Sequence, residues 1–300
     1  MDTKQPSSEL LVGWSNVCGS SLFVAFAAYI SRSLELRLEI PLIVSALRCV
    51  CQLTLMGLVL DDVLHVYNPK TIALLTGILI FLGTYEIVYH RSQRTFRGLF
   101  PTMYVILLIS TVLVSCTGVA FSLQSTPFWT PTVFIPVLGM LLGNSMGSIA
   151  MAIRVCVDTI HTHGPLLESK LAMGASRYEA VAPFAIEAIR TAMLPQITQL
   201  SVMGMINIPG MMTGQILAGS TVQDAVIYQE CLMFMVTASC VLGVCMTVSV
   251  CMMRLVDSHH SIRADRIKDA RSSFFKRICA GFRILIHPCT CCFSRHRHHD

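Results

Sequence analysis

The sequence has little charge and few tryptophans. Aspartate, glutamate, lysine and arginine together make up 13% of the 300 residues, and there are only 2 tryptophans. Hydrophobic residues make up 54% of the chain, and the mean hydropathy is +0.65. So little charge argues against a water-soluble globular protein and predicts a protein that crosses a membrane several times.

Motifs for nucleotide and metal chemistry are also lacking. No G-x-x-x-x-G-K-[ST] phosphate-binding loop occurs, so this chain does not bind and hydrolyse ATP in that manner. No H-E-x-x-H zinc motif occurs either. We therefore predict no catalytic residues, no enzyme activity and no bound cofactor, and any ATP-driven process would need an ATPase on another polypeptide.

Apolar residues form seven runs long enough to cross about 30 Å of hydrocarbon. These runs are Leu11 to Ile30, Ile40 to Leu60, Thr71 to Tyr89, Leu99 to Phe121, Thr132 to Ile153, Leu194 to Ala218, and Ala225 to Val256. The sequence thus predicts an all-α integral membrane protein with about seven transmembrane helices.

Lysine and arginine predict the orientation of these spans, because basic residues accumulate in cytosolic loops. With the N-terminus outside, all but three of the 22 basic residues lie on the cytosolic side or in the tail. The exceptions are Lys4 and Lys70 outside, and Arg48 within the second span. We predict a membrane domain over residues 1–256 with a cytosolic loop at 154–193, and a cytosolic tail at 257–300.

The cytosolic loop contains local signals for two helices that meet at an elbow. Leu166 to Met173 is predicted to be a short helix that Gly174 ends, because glycine accepts the left-handed conformation there. Ser176 and Glu179 have the spacing of a capping box at the start of the next helix, which Pro183 should kink or divide. An amphipathic helix lying on the membrane surface is the alternative.

Polar side chains within the apolar runs, and one helix interruption, suggest a path through the membrane. Pro209 and Gly210 should break the sixth span, and broken membrane helices occur where protein or a cavity satisfies the freed backbone groups. A packed kink without transport function is the alternative. The predicted hinge or path residues are Arg48, Gln52, Asn144, Asn207, Pro209, Gly210, Met211, Met212 and Gln215. The methionines fit a soft-metal path or simple space-filling.

Two further features leave alternatives open. Gly139, Gly143 and Gly147 are four residues apart on one helix face, which favours close helix packing within one subunit or between subunits.

The tail from His287 to His299 combines three cysteines with four histidines. Metal binding, palmitoylation and a disordered segment without either role all fit that composition.

Several motifs together resemble one family. Glu168 to Ser176, ESKLAMGAS, resembles the cytosolic EAA loop of ABC-transporter permeases, in which a glutamate precedes a glycine by six residues. The chain from about residue 10 to 255 resembles the FetB-type permease family, which comprises bacterial iron-export permeases and plant relatives linked to aluminium tolerance. The motifs that carry this resemblance are Ile135 to Met146, Glu168 to Ser176, Ala188 to Pro195, Asn207 to Gly219, and Ala225 to Gln229.

This resemblance implies a permease subunit that docks a separate ATPase and forms a homodimer in a plasma or organelle membrane. The ATPase-docking residues it implies are Glu168, Leu171, Gly174, Ala175, Ser176 and Arg177. It implies export of iron or another metal ion, with a nucleotide sugar as the alternative cargo and no resolved metal ligands. Partners would be the ATPase and membrane lipids, without nucleic acid. A seven-span receptor and a passive channel are the other classes that the span count allows.

Overall fold

The structure is a computed structural model that describes residues 13–36, 38–64, 69–91, 94–95, 98–123, 129–255 and 268–269. Most of the tail predicted at 257–300 and the cysteine- and histidine-rich segment within it therefore lie outside the described residues. Contacts divide the chain into two units, residues 1–66 and residues 67–300.

The first unit contains two helices joined by a tight connection. Helix α1 spans Trp14–Ser33 and α2 spans Glu39–Leu64. Ser31 organises the connection, because its carbonyl accepts from the Leu36 amide at 2.9 Å and its hydroxyl accepts from the Leu38 amide at 3.0 Å. The buried Ser31 thus supplies partners for backbone amides that the helices leave unpaired.

The second unit contains the remaining helices that the structure describes. These are α3 (Pro69–Glu86), α4 (Leu99–Leu107), α5 (Leu113–Phe121), α6 (Pro131–Ala172), α7 (Arg177–Val202), α8 (Gly210–Leu217) and α9 (Val222–Leu255). A π-helical turn, Ile87–Arg91, extends α3, and another, Leu108–Val112, joins α4 to α5. Strands β1 (Arg94–Thr95) and β2 (Lys268–Asp269) form one short antiparallel pair.

Five helical segments in the described part are long and apolar enough to cross a membrane. They are Glu39–Val59, Pro69–Arg91, Leu99–Phe121, Pro131–Ile160 and Val222–Arg254. These segments confirm the prediction of a helical membrane protein and match five of the seven predicted spans. The first and sixth predicted spans correspond to α1 and to the segment from α7 to α8, which are not among the five.

Side-chain contacts establish the directions of the helices that form the core of the second unit. Ser145 on α6 contacts Cys240 on α9, and Cys156 lies beside Cys251, so these helices run parallel. Helix α7 runs antiparallel to both of them, with Val181 and Met252 lining one cavity and Gln196 contacting Cys240. The connection between α6 and α7 therefore lies at the same end of the unit as the C-terminus of α9.

The structure corrects three of the predicted helix boundaries. The predicted short helix Leu166 to Met173 is the last part of α6, which continues unbroken through Pro136 and Pro165. Helix α7 likewise continues through Pro183 without being divided. Proline leaves a helix with one hydrogen bond fewer, but tertiary packing of neighbouring turns stabilises the helix around it. The sixth predicted span, Leu194 to Ala218, is interrupted at residues 203–209, earlier than predicted.

Candidate functional site

The connection between α6 and α7 is a four-residue elbow, Met173 to Ser176, whose backbone hydrogen bonds are completed locally. Gly174 has a φ of +92°, its amide donates to the Leu171 carbonyl at 3.1 Å, and the Ala175 amide donates to the Lys170 carbonyl at 3.2 Å. This pair of bonds is the Schellman motif that ends α6. The predicted helix stop at Gly174 is confirmed.

The predicted capping box at the start of α7 is also confirmed. The Glu179 carboxylate accepts from the Ser176 amide at 2.9 Å, and the Ser176 hydroxyl accepts from the Glu179 amide at 3.4 Å. The Ser176 hydroxyl and amide hydrogen bonds hold the pKa of Glu179 below the ordinary value for a glutamate. The charged carboxylate is therefore part of the elbow at neutral pH.

Packing behind the elbow fixes the first turns of α7 against the end of α6. Leu167, Leu171 and Val181 are buried. The His163 and Phe184 rings stack with centroids 5.3 Å apart, and the Lys170 ammonium lies 5.4 Å from the Phe184 ring centroid. A cation over an aromatic ring adds to the apolar contact. These contacts explain why α6 remains helical after Pro165.

The outer face of the elbow carries exposed apolar side chains. Met173 is 83% exposed and Tyr178 is 70% exposed, and Glu168 is exposed beside them. Exposed apolar residues at the tip of a connection are typical of a surface that another protein covers. Met173 and Tyr178 are not among the predicted docking residues, because the sequence alone does not show which apolar side chains of this loop stay exposed.

The other predicted docking residues divide into exposed and inward-facing positions. Gly174 and Ser176 are exposed and Ala175 is half-buried, whereas Leu171 is buried and supports the elbow from inside. Arg177 is half-buried, and its Nε atom is buried without a hydrogen-bond partner among the described residues. Arg177 lines a cavity of about 220 Å³ between α7 and α9. Leu171 and Arg177 are thus less accessible to a partner than predicted.

The predicted path segment, Asn207 to Gln215, comprises the end of a turn and the short helix α8. The turn begins where α7 ends, and the Gly204 amide donates to the Asn207 carbonyl at 3.1 Å. Pro209 precedes Gly210, the first residue of α8, so the proline starts a helix and does not break one. Met211, Met212 and Gln215 are half-buried and Asn207 is exposed.

The remaining predicted residues lie in different surroundings. Arg48 and Gln52 lie on α2 of the first unit with exposed side chains. The Asn144 amide donates to the Met140 carbonyl of its own helix at 2.9 Å.

A methyl group added at Gly139 or Gly143 would meet nothing within 4 Å in the described structure, and at Gly147 it would lie 3.6 Å from Arg91 Nη1. The glycine face is therefore open at Gly139 and Gly143, and its role in packing stays a prediction.

A buried group of polar side chains, here called the polar cluster, joins four parts of the second unit. It consists of Ser110, Ser145, Ser148, Gln196, Ser239 and Cys240. The Ser145 and Ser239 hydroxyls share a hydrogen bond of 2.9 Å, and the Ser239 hydroxyl donates to the Ser110 carbonyl at 3.4 Å. Cys240 Sγ lies 3.8 Å from Ser145 Oγ and 3.9 Å from Gln196 Oε1.

The polar cluster is not evident from the sequence. Its members are common residues within apolar helices, and the sequence does not show which helix faces meet. The stretch Gly143 to Gly147, GNSMG, also has the G-x-S-x-G spacing of a hydrolase nucleophile. That motif requires a sharp turn between a strand and a helix, whereas Ser145 lies buried within α6. The structure thus assigns Ser145 to helix packing and polar contacts and not to a hydrolase site.

The five long apolar helices define the chain as a multi-pass integral membrane protein. Residues 14–256 match the family described as Uncharacterised protein family (UPF0014). The chain belongs to this family.

Several relatives are similar over most of their own length. The chain is 29% identical over 189 residues to "UPF0014 membrane protein slr1647" of Synechocystis, covering 63% of this chain and 73% of that protein. It is 24% identical over 247 residues to "Probable iron export permease protein FetB" of Escherichia coli, covering 82% and 93%. It is 28% identical over 229 residues to "Protein ALUMINUM SENSITIVE 3" of Arabidopsis thaliana, covering 76% and 82%. No solved structure matches the chain.

Proposed function

We propose that this protein is the membrane-spanning permease subunit of an ABC-type transporter that exports iron or another metal ion. The observation that carries this proposal is the elbow, because its hydrogen-bonded backbone exposes Met173, with Glu168 and Tyr178 exposed on the adjoining turns of α6 and α7. A short connection with exposed apolar and acidic side chains is suited to a groove on a separate ATP-binding subunit. The similarity to the probable iron export permease of Escherichia coli supports the metal cargo.

The proposal includes a membrane topology. Seven spans, with α1 and the α7–α8 segment added to the five apolar helices, place the N-terminus outside. The elbow and the C-terminal end of α9 then share the cytosolic side. This arrangement agrees with the basic residues Lys170 and Arg177, which flank the elbow, and Arg254, which lies in the last turn of α9. Two copies of the permease and two copies of the ATPase would form the complete transporter.

Helix α7 supplies a physical link between the elbow and the membrane interior. Arg177 is its first residue, and Gln196 of the polar cluster lies on the same continuous helix. Nineteen residues at 1.5 Å per residue separate them by about 28 Å. A displacement of the elbow by ATP-driven closure of the partner would therefore move Gln196 against α6 and α9.

Two substitutions near the elbow test whether the ATP-binding subunit docks there. Glu168→Lys and Met173→Asp should each weaken association with a co-expressed ATP-binding subunit by about tenfold or more, the effect typical of an interface anchor. Glu187→Lys is the matched control, because Glu187 is also exposed on the second unit but lies three turns into α7. Association would be measured by co-purification in detergent. Unchanged association of both elbow variants would contradict the docking proposal.

Reconstitution tests the cargo separately. The permease and its ATPase in liposomes should hydrolyse ATP faster when iron(II) is present, and iron should move across the membrane. If the ATPase binds but iron neither stimulates hydrolysis nor moves, the permease proposal survives and the metal cargo does not. Iron movement without any ATPase would favour a passive channel.

A further inference from the structure

We propose that the polar cluster is a binding site for a borderline divalent transition-metal ion, with Cys240 Sγ, Gln196 Oε1 and Ser145 Oγ as its protein ligands. This inference rests on the proposed function, because it names the residues at which the cargo would be held within the membrane. Among the described residues, no group of three or more His, Cys, Asp and Glu could hold a metal ion. The site is instead built from one thiol and neutral oxygen donors.

The donor atoms have separations that suit a shared ion. Ser145 Oγ lies 3.8 Å from Cys240 Sγ, which lies 3.9 Å from Gln196 Oε1. Bonds of about 2.0–2.3 Å in a tetrahedral site place neighbouring ligands about 3.3–3.8 Å apart. The Ser148 hydroxyl lies close to the same thiol. Only small adjustments would bring these atoms to ligand distances.

An unsatisfied donor in the cluster also points to a missing ligand. The Gln196 side chain is 4% exposed, and its Nε2 atom has no hydrogen-bond partner in the described structure. A buried N–H group without an acceptor destabilises the folded protein. A water molecule carried by a bound ion would accept from Nε2 while Oε1 faces the metal.

The chemistry of the donors selects the ion. A thiolate favours iron(II) and similar ions over magnesium or calcium, which prefer several oxygen ligands. On binding, the Cys240 thiol loses one proton to water and forms the metal–sulfur bond. The other donors are neutral, so the ion is held weakly enough to be released, as a transported ion must be. The buried position matches an occluded state that movement of α7 would open.

Cobalt(II) binding to the purified full-length permease tests this site directly, because thiolate coordination to cobalt produces a charge-transfer absorption. The background protein carries Cys279→Ser, Cys289→Ser, Cys291→Ser and Cys292→Ser, which removes the thiols of the tail. We expect one thiolate-bound cobalt ion, which Cys240→Ser removes. Gln196→Leu should weaken binding by about tenfold or more, since even residues that only support metal ligands have effects of that size.

Cys251→Ala is the matched control, because Cys251 is a buried thiol on the same helix that lies outside the cluster. It should leave the absorption unchanged. Cys240→Ser changes little in size, and an unchanged elution profile and melting temperature would show that it remains folded. The proposal is overturned if the background protein gives no thiolate absorption, or if Cys240→Ser leaves that absorption intact.

The same variants separate this site from the transporter proposal. If ATPase association and iron flux persist but neither flux nor cobalt binding depends on Cys240, the site is wrong and the proposed function stands. If cobalt binds through Cys240 but the ATPase does not associate with the elbow, the site stands and the ABC-type mechanism fails. Glu168→Lys should lose the ATPase and retain cobalt binding.

Discussion

The two ends of α7 differ in how their backbone hydrogen bonds are completed. At the elbow, the Schellman bonds and the capping box satisfy the backbone groups within a few residues. At the other end, α7 gives way to residues 203–209, where Met205 and Ile206 are 85% and 78% exposed. One end therefore has a fixed angle between two helices, whereas the other ends in an irregular turn before α8. This difference suggests that a force applied at the elbow is transmitted along α7 and accommodated at residues 203–209.

Replacing Gly174 should have the largest effect on this arrangement. Gly174→Val places a β-branched side chain at a φ of +92°, which should lower the free energy of unfolding by about 2 kcal/mol and remove ATPase association. Melting temperature and co-purification in detergent measure the two effects. Gly174→Asn should retain most of both, since asparagine tolerates the left-handed conformation. A Gly174→Val protein with normal association would show that the elbow angle is not needed.

Gly204 provides the same test at the opposite end of α7. Its φ is +88° and its surroundings are as open as those of Gly174, so Gly204→Val should also destabilise the protein by about 1–2 kcal/mol. ATPase association should remain, because the elbow is unchanged, while metal-stimulated ATP hydrolysis should fall. Equal losses of association in both valine variants would remove the distinction between the two ends.

Loss of the capping serine should have a smaller and pH-dependent effect. Ser176→Ala should lower the free energy of unfolding by about 1 kcal/mol at neutral pH, the usual contribution of such a cap. The lowered pKa of Glu179 means that its contribution is fully present above the ordinary glutamate pKa and is lost as pH falls through the folded-state value. The difference between wild type and variant should therefore shrink in acid.

Ser169→Ala is the control for that measurement, because the Ser169 hydroxyl only donates to the Leu166 carbonyl within α6, at 2.9 Å. Its effect should be small and independent of pH in the same range. Thermal unfolding at neutral and acidic pH would compare the two alanine variants. A pH-independent loss in Ser176→Ala would contradict the role assigned to the Glu179 carboxylate.

The smallest effect is expected in the middle of α7. Glu187 lies 4.0 Å from Arg190, and both side chains are largely exposed. Glu187→Gln should change the free energy of unfolding by no more than about 0.5 kcal/mol, since solvent weakens such pairs. Melting temperature measures this change. A loss as large as that of Ser176→Ala would show that the pair contributes more to α7 than an exposed contact should.

The sequence predicted the elbow well because capping depends on neighbouring residues. Gly174, Ser176 and Glu179 act within one or two turns, so their spacing identifies both helix ends. The continuity of α6 through Pro165 depends instead on packing against Phe184 and Val181 of another helix. The start of the break at Met203 and the meeting of Gln196 with Cys240 likewise depend on how helices pack, which the local pattern does not reveal.

The contacts between α6 and α9 have a mechanical consequence. Ser145 meets Cys240 and Cys156 meets Cys251, so the paired positions recur after eleven residues on both helices. A hendecad spacing corresponds to about 3.67 residues per turn, which is close to the 3.6 of a straight helix, so the same faces stay together with only a slight right-handed supercoil. A slip of one residue would separate both pairs at once. We therefore expect α6 and α9 to move as one rigid pair of helices, and α7 to move relative to them.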